Sequence, residues 1–318
     1  MKKIFFILLL VFIPKLFFGQ SSNDKTIYLD SLFNESKNGE YIYTRTIVDY
    51  YLPKESYQIN DYYKSGKIEK EGIYLDKDGF KRNGLFTYYY ENGNKKETIN
   101  FVKSDPLGAY TTWYENGNKR LEADYIPSED KNVSNVFLVK QFWDKKNTQK
   151  IIDGNGDFEE IEKYFHANGK IKNGLKDGIW TGICDNFKLK YRFTEEYADG
   201  KLIYGTSIDN DGVSYNYQVV ELHPEPQNGI EDFYKYIAKN YQVPEKAKVS
   251  GKLYFSFIIE KDGSIQDIKA VRDLGFGTAE EGIRVLQNCP NWKPALLRGI
   301  KVSCSYNIPI SIQSIDID

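Results

Sequence analysis

Hydrophobic and polar positions divide the chain into stretches of different period. Ile4 to Ile13 is an unbroken apolar run, preceded by the basic start Met1-Lys2-Lys3 and ended by Pro14. Residues 23–57 are weakly patterned, but Thr44 to Leu52 alternates enough to predict a first strand. From residue 58 to about 220, short aromatic runs alternate with polar clusters that contain Gly, the pattern of tight β-hairpins. Pro224-Glu225-Pro226-Gln227-Asn228-Gly229 then reads as a linker, and the pattern changes after it.

The last segment mixes two periods. Ile230, Phe233, Tyr234 and Ile237 recur at helical spacing, which predicts an amphipathic helix ending before Pro244. Leu253, Phe255, Phe257 and Ile259 alternate along a strand, Asp262-Gly263 turns, and Ile265 to Val271 predicts a second strand. Thr278-Ala279-Glu280-Glu281 has the form of a capping box opening a second helix, with Ala279, Ile283 and Leu286 as its buried stripe. Val302, Cys304, Tyr306, Ile308, Ile310 and Ile312 alternate along one long final strand. The order α-β-β-α-β predicts a small α+β domain: a three-stranded antiparallel sheet with two helices.

One phrase recurs in the middle of the chain: an aromatic pair, two polar residues, Gly and a Lys. Its turn glycines are Gly66, Gly93, Gly117, Gly169 and Gly200, and Phe142 to Asn147 forms a copy without the Gly. Asn-Gly and Asp-Gly favour positive φ, so each copy predicts a two-residue turn between antiparallel strands. A lone hairpin buries too little surface to be stable, and stacking successive hairpins supplies the core. The aromatics are expected to hold this array together; an exposed aromatic stripe binding glycan, peptide or protein is the sharper alternative. The expected organisation is a leader over 1–20, a partly irregular segment over 21–57 and β-hairpin repeats over 58–220. A linker over 221–229 and the α+β domain over 230–318 follow.

Composition narrows the chemistry. Of 318 residues, 43 are Lys or Arg and 45 are Asp or Glu, a net charge of −2 that argues against nucleic acid as partner. The only histidines are His166, in a repeat turn, and His223, in the linker, and the three cysteines are scattered. Such a set does not make a metal centre, and no nucleophile elbow, phosphate loop or paired carboxylates suggest an enzyme, a cofactor or a small-molecule substrate. Cys289 and Cys304 are expected as free thiols rather than a disulfide, Cys304 lying on the apolar face. The basic start, the apolar run and Gly19-Gln20-Ser21-Ser22 have the layout of a secretory signal cleaved after Gly19 or Gln20. The expected location is the periplasm, with an inner-membrane anchor over residues 4–18 as the alternative.

Two resemblances follow from these residues. The hairpin unit resembles the MORN-type repeat variant found in the YwqK-like antitoxin family, over roughly residues 58 to 215. The last quarter resembles the TonB C-terminal domain. The matching residues are Asn240-Tyr241 with Pro244 and Ala247, Gly251 opening the first strand, the hairpin Asp262-Gly263-Ser264-Ile265, and Trp292-Lys293-Pro294-Ala295 followed by Gly299. This resemblance implies a periplasmic module that grips the N-terminal peptide of an outer-membrane transporter by adding it as a strand to a sheet edge. The implied docking surface is Val302, Ser303, Cys304, Ser305, Tyr306, Asn307 and Ile308, with Trp292 and Pro294 structural. TonB-like transducers have a membrane anchor and a long Pro-rich spacer, and no such spacer stands here. The reading is therefore a non-enzymatic adaptor. Its repeats are a spacer or a second surface for the cell wall or another protein. A membrane-anchored energy transducer is the alternative.

Overall fold

The computed structural model describes residues 23–36, 39–128, 135–244 and 250–313, which fall into two compact units divided after Gly154. The apolar run, its expected cleavage site and Ala247 lie outside the described residues. Among the described residues no helix is long and apolar enough to cross a membrane.

The first unit is an antiparallel sheet whose strands lie in sequence order. They are β1 (Lys25–Leu29), β2 (Tyr43–Ile47), β3 (Tyr57–Tyr63), β4 (Ile68–Tyr74) and β5 (Arg82–Tyr89). After them come β6 (Lys95–Val102), β7 (Asp105–Trp113), β8 (Lys119–Ile126), β9 (Val136–Trp143) and β10 (Gln149–Ile152). The strand expected over Thr44–Leu52 is shorter than predicted and is not the first. It stops at Ile47 because Asp49 takes a φ of 54° and the chain turns.

The repeat glycines work differently from the expected two-residue turn. After Tyr63 the loop is Lys64-Ser65-Gly66: Gly66 N donates to the Tyr63 carbonyl and Tyr63 N donates to the Lys67 carbonyl, each at 2.8 Å. Gly66 has a φ of 82°, and the extra residue is absorbed as a register shift beside Tyr62. Gly93 and Gly117 repeat this geometry with φ of 94° and 88°. In the copy without Gly, Asn147 takes the left-handed position at φ 62°, which Asn tolerates better than other non-glycine residues. The aromatic pairs then join one hairpin to the next. The Tyr63, Tyr90 and Tyr114 hydroxyls donate to the carbonyls of Tyr89, Trp113 and Trp143 at 2.7, 2.9 and 2.9 Å.

In the second unit, six strands continue the hairpin pattern: β11 (Asn155–Ile161), β12 (Phe165–Lys172), β13 (Leu175–Asn186), β14 (Leu189–Ala198), β15 (Lys201–Asp209) and β16 (Ser214–Tyr217). Gly200 closes a true two-residue turn, with Asp199 and Gly200 at φ 47° and 78°. Gly169 is not a turn residue, contrary to expectation. It lies within β12 opposite Phe158, and the turn falls at Asn173-Gly174. His166 likewise sits in β12, its Nε2 2.9 Å from Glu159 Oε1.

Gly169 is there for space. A Cβ at this position would come within 2.3 Å of the Trp180 ring on the neighbouring strand. The same arrangement puts Phe86 over Gly72, Phe193 over Gly182 and Tyr217 over Gly205, each ring at 2.3 or 2.4 Å from the missing Cβ. Phe86 and Trp180 are fully buried in this way.

The chain then makes β17 (Glu221–Leu222), β18 (Glu225–Pro226), α1 (Ile230–Asn240), β19 (Gly251–Ile259), β20 (Ile265–Arg272) and α2 (Thr278–Gln287). It ends with β21 (Trp292–Lys293), β22 (Ala295–Leu297), β23 (Ile300–Val302) and β24 (Cys304–Ile312). The expected linker is not free: β17 pairs with β22 and β18 with β21. The antiparallel sheet has the order β20-β19-β24. Phe233 and Ile237 of α1, Val285 and Leu286 of α2, and the alternate residues Leu253 to Ile259 form its core with Trp292, Ile308 and Ile310.

Ile230 and Tyr234 remain exposed on α1 because only one edge of its apolar stripe reaches the core. Gly277, not Thr278, is the N-cap of α2; the buried Thr278 hydroxyl turns back to Asp273 and Gly275. Ile283 is only partly buried, and Gly282 occupies the α2 contact instead, since a Cβ there would meet the Phe255 ring at 2.2 Å. The final strand is broken at Ser303.

Gly182→Ala is expected to destabilise by about 1–3 kcal/mol, since neither Phe193 nor the His166 carbonyl has room to yield. Gly93→Asn, at a turn with open space but a φ of 94°, should lose less than Gly182→Ala in the same urea titration. Burial first, then nearby carboxylates, raises Tyr63, Tyr74, Tyr89 and Tyr241 to about 12. These phenols hold their protons more tightly folded than unfolded. Their contribution is therefore constant below about pH 10 and lost as pH rises towards about 12. Phenolate absorbance should show them titrating late, together with alkaline unfolding.

Candidate functional site

The sheet β20-β19-β24 has two edges, and they differ. On β20, Asp267 takes a φ of 51° and the register slips opposite Ser256–Ile258, a bulge that spoils the edge for pairing. β24 pairs with β19 in unbroken register from Cys304↔Ile259 to Ile312↔Gly251. Among the described residues no strand covers its other side.

Pro309 shows which backbone groups face that side. It stands opposite Tyr254 in the ladder without an N–H to give, and its carbonyl accepts the Tyr234 hydroxyl at 3.3 Å. N–H and C=O of one strand residue point the same way, so Pro309 faces outward. By alternation Ser305, Asn307 and Ser311 face outward with it, while Cys304, Tyr306, Ile308 and Ile310 bond to β19. Tyr234 thus stops the free edge at Pro309 and leaves Ser305 and Asn307 as its open stretch.

The docking residues expected from the sequence therefore divide. Val302 is not on the edge: it pairs with Ala295 in the β22–β23 hairpin. Ser303 lies in the break and bonds Glu260. Cys304, Tyr306 and Ile308 pack against the core, and Ser305 and Asn307 are exposed. All three cysteines are free.

The motif residues support this edge from below. Gly263 has a φ of 85°, and a Cβ there would lie 1.9 Å from the Trp292 carbonyl. The Gly263 carbonyl in turn accepts Trp292 N at 2.8 Å. Trp292 so placed packs edge-on against Phe233, Phe257 and Tyr306, with centroids 5.2, 5.9 and 4.9 Å away. Pro294 separates β21 from β22, Gly251 opens β19, and Pro244 follows α1.

Gly299 leads to a contact the sequence reading missed. Arg298 and Gly299, at φ 51° and 78°, form the two-residue tip of the β22–β23 hairpin. The left-handed conformation costs Arg298 about 1–2 kcal/mol. The side chain is only 9% exposed and reaches β14, where Nε donates to Glu195 Oε1 at 2.9 Å. Nη1 donates to Tyr191 Oη at 3.2 Å, and the guanidinium lies 3.9 Å from the Phe193 centroid. Glu195, 1% exposed, also accepts the Tyr217 and Tyr197 hydroxyls at 2.9 and 3.0 Å. Burial opposes the charge on Arg298, yet Glu195 and Tyr191 raise its pKa above the ordinary value. One signal was available: Glu195 is a charged residue in the inward series Tyr191, Phe193, Tyr197.

The repeats carry a second open surface. Asn168, Thr181, Thr194 and Thr206 stand opposite one another across β12–β15. They line a depression of about 360 Å³ with His166, Ile183, Arg192 and Ile208.

The sequence profile of the MORN repeat variant matches residues 82–103 and 106–126. Each match is one hairpin of the first unit, β5–β6 and β7–β8. No curated protein and no solved structure matches the chain.

Arg298→Met is expected to destabilise the second unit by about 3–5 kcal/mol, because it leaves a buried carboxylate without its cation. Pairing Arg298→Met with Glu195→Gln, which removes the charge and keeps an acceptor for the Tyr197 and Tyr217 hydroxyls, should recover a large part of that loss in a denaturant double-mutant cycle.

Proposed function

We propose that this protein is a non-enzymatic binding protein of the cell envelope, whose C-terminal module takes an extended peptide as an added strand on β24. The observation that carries the reading is the straight edge of β24, with outward backbone groups at Ser305 and Asn307 and a stop at Pro309. Main-chain hydrogen bonds supply affinity in this mode, and alternate side chains supply selectivity. The resemblance to the TonB C-terminal domain favours the N-terminal peptide of an outer-membrane transporter as partner, and the leader-like residues 1–20 favour a periplasmic site of action. The repeats position this module, and their Thr-lined depression offers a second surface for cell wall or another protein.

The test is titration of the full chain with a panel of transporter N-terminal peptides, read by amide chemical shifts. Perturbation centred on Ser305 and Asn307 is expected; an unchanged spectrum across the panel would remove the reading. Asn307→Pro deletes an outward N–H and leaves the β19 ladder intact, so it should weaken binding at least about tenfold with little loss of stability. Tyr306→Pro, whose N–H serves β19, should instead unfold the sheet.

A further inference from the structure

We infer that the β22–β23 hairpin is an anchor that fixes the β24 edge to the repeat strands β11–β16, so that edge and repeats open as one cooperative body. The inference concerns how the edge is held and does not depend on which peptide it takes.

Each partner of the contact carries a feature that the other compensates. On the hairpin, a bulky Arg occupies a left-handed position that a Gly or Asn would take with less strain. On the repeats, Glu195 lies almost wholly buried in a sheet face, and its charge is compensated when Arg298 is seated. The contact also grips the hairpin backbone. Arg298 N donates to the Val220 carbonyl at 2.6 Å, and the Ser207 hydroxyl donates to the Arg298 carbonyl at 2.7 Å. Ile300 completes the seal against Ala167, Tyr191 and Phe193, with Leu297 packed beside it.

The anchor is covalently next to the edge. β23 ends at Val302 and β24 begins at Cys304, with only Ser303 between them. A displacement of β24 along its axis is therefore transmitted within a few residues to Ile300 and Arg298. The segment before α1 gives no slack, since β17 and β18 are paired to β22 and β21. Glu221, Leu222, Glu225 and Pro226 are thus paired into the module and do not form a free spacer-like hinge.

Hydrogen exchange on the full chain tests the coupling. In the wild type, amides of β14–β16, β22–β23 and β24 are expected to share one opening event. Arg298→Asn keeps a residue that accepts the left-handed turn but cannot reach Glu195. It should raise exchange in β22–β23 and β24 by at least about tenfold and leave β5–β8 of the first unit unchanged. Faster exchange confined to the hairpin, with β24 unaffected, would overturn the inference, as would separate opening of β24 and β14–β16 in the wild type. If Arg298→Asn does not fold, Ser207→Ala removes one hydroxyl without exposing a charge. That variant should raise exchange in the same three segments by roughly two- to fivefold, and no change in β24 would again overturn the coupling. Failure of every peptide to bind leaves these readouts untouched, so the two ideas fail independently.

Discussion

A sheet of hairpins with no second layer against it must bury its large side chains within its own surface. The first unit is such a sheet, since its described elements are all strands. The constraint is met by laying an aromatic ring flat over a glycine on the next strand, as Phe86 does over Gly72. The ring gains contact with backbone on both sides, and the glycine supplies the only side chain small enough to allow it. Tyr hydroxyls passed to the neighbouring hairpin's carbonyls then tie successive copies together.

Where this solution ends, a charge contact takes over. The repeat face of β12–β16 carries Glu195 among Tyr and Phe side chains, and no single sheet can bury a carboxylate without a partner. Arg298 arrives from the C-terminal module and is held by Glu195, Tyr191 and the Phe193 ring. The first unit uses a related device. Burial pushes the Asp61 carboxyl up, but Arg45 and Lys70 outweigh this and hold it below its ordinary value. In the first unit the cations come from neighbouring strands, so the pair stiffens the sheet. In the second the cation comes from another module, so the same chemistry joins two folds.

The hairpins and both helices were legible because period and turn residues are local properties, whereas the short strands β21, β22 and β23 between α2 and the last strand were not. Gly169 shows the limit. Asn168-Gly169 has the composition of a turn, and only the Trp on the following strand shows that the glycine is needed for space. Thr278 shows another: the capping pattern was present, but Asp273 and Gly275 offered its hydroxyl closer partners. The final strand was legible as an alternating run, but its break at Ser303 was not, because Val302 and Cys304 continue the alternation across it. Arg298 was invisible as a site residue, since nothing local distinguishes a charged turn tip exposed to water from one inserted into another module.

The edges of the small sheet bear directly on function. A sheet that left both edges straight and bare would template association along either side. Here β20 is bulged at Asp267, and β24 is stopped at Pro309 by the Tyr234 hydroxyl. What remains open is a short run around Ser305 and Asn307, whose polar side chains discourage burial against another copy. So few outward groups are a weak template for self-pairing, and under the proposed function they would limit a bound peptide in length and register. In the proposed binding mode any chain could supply the hydrogen bonds, so selectivity would rest on the position that Trp292 gives Tyr306 and on how the Arg298 hairpin holds the edge.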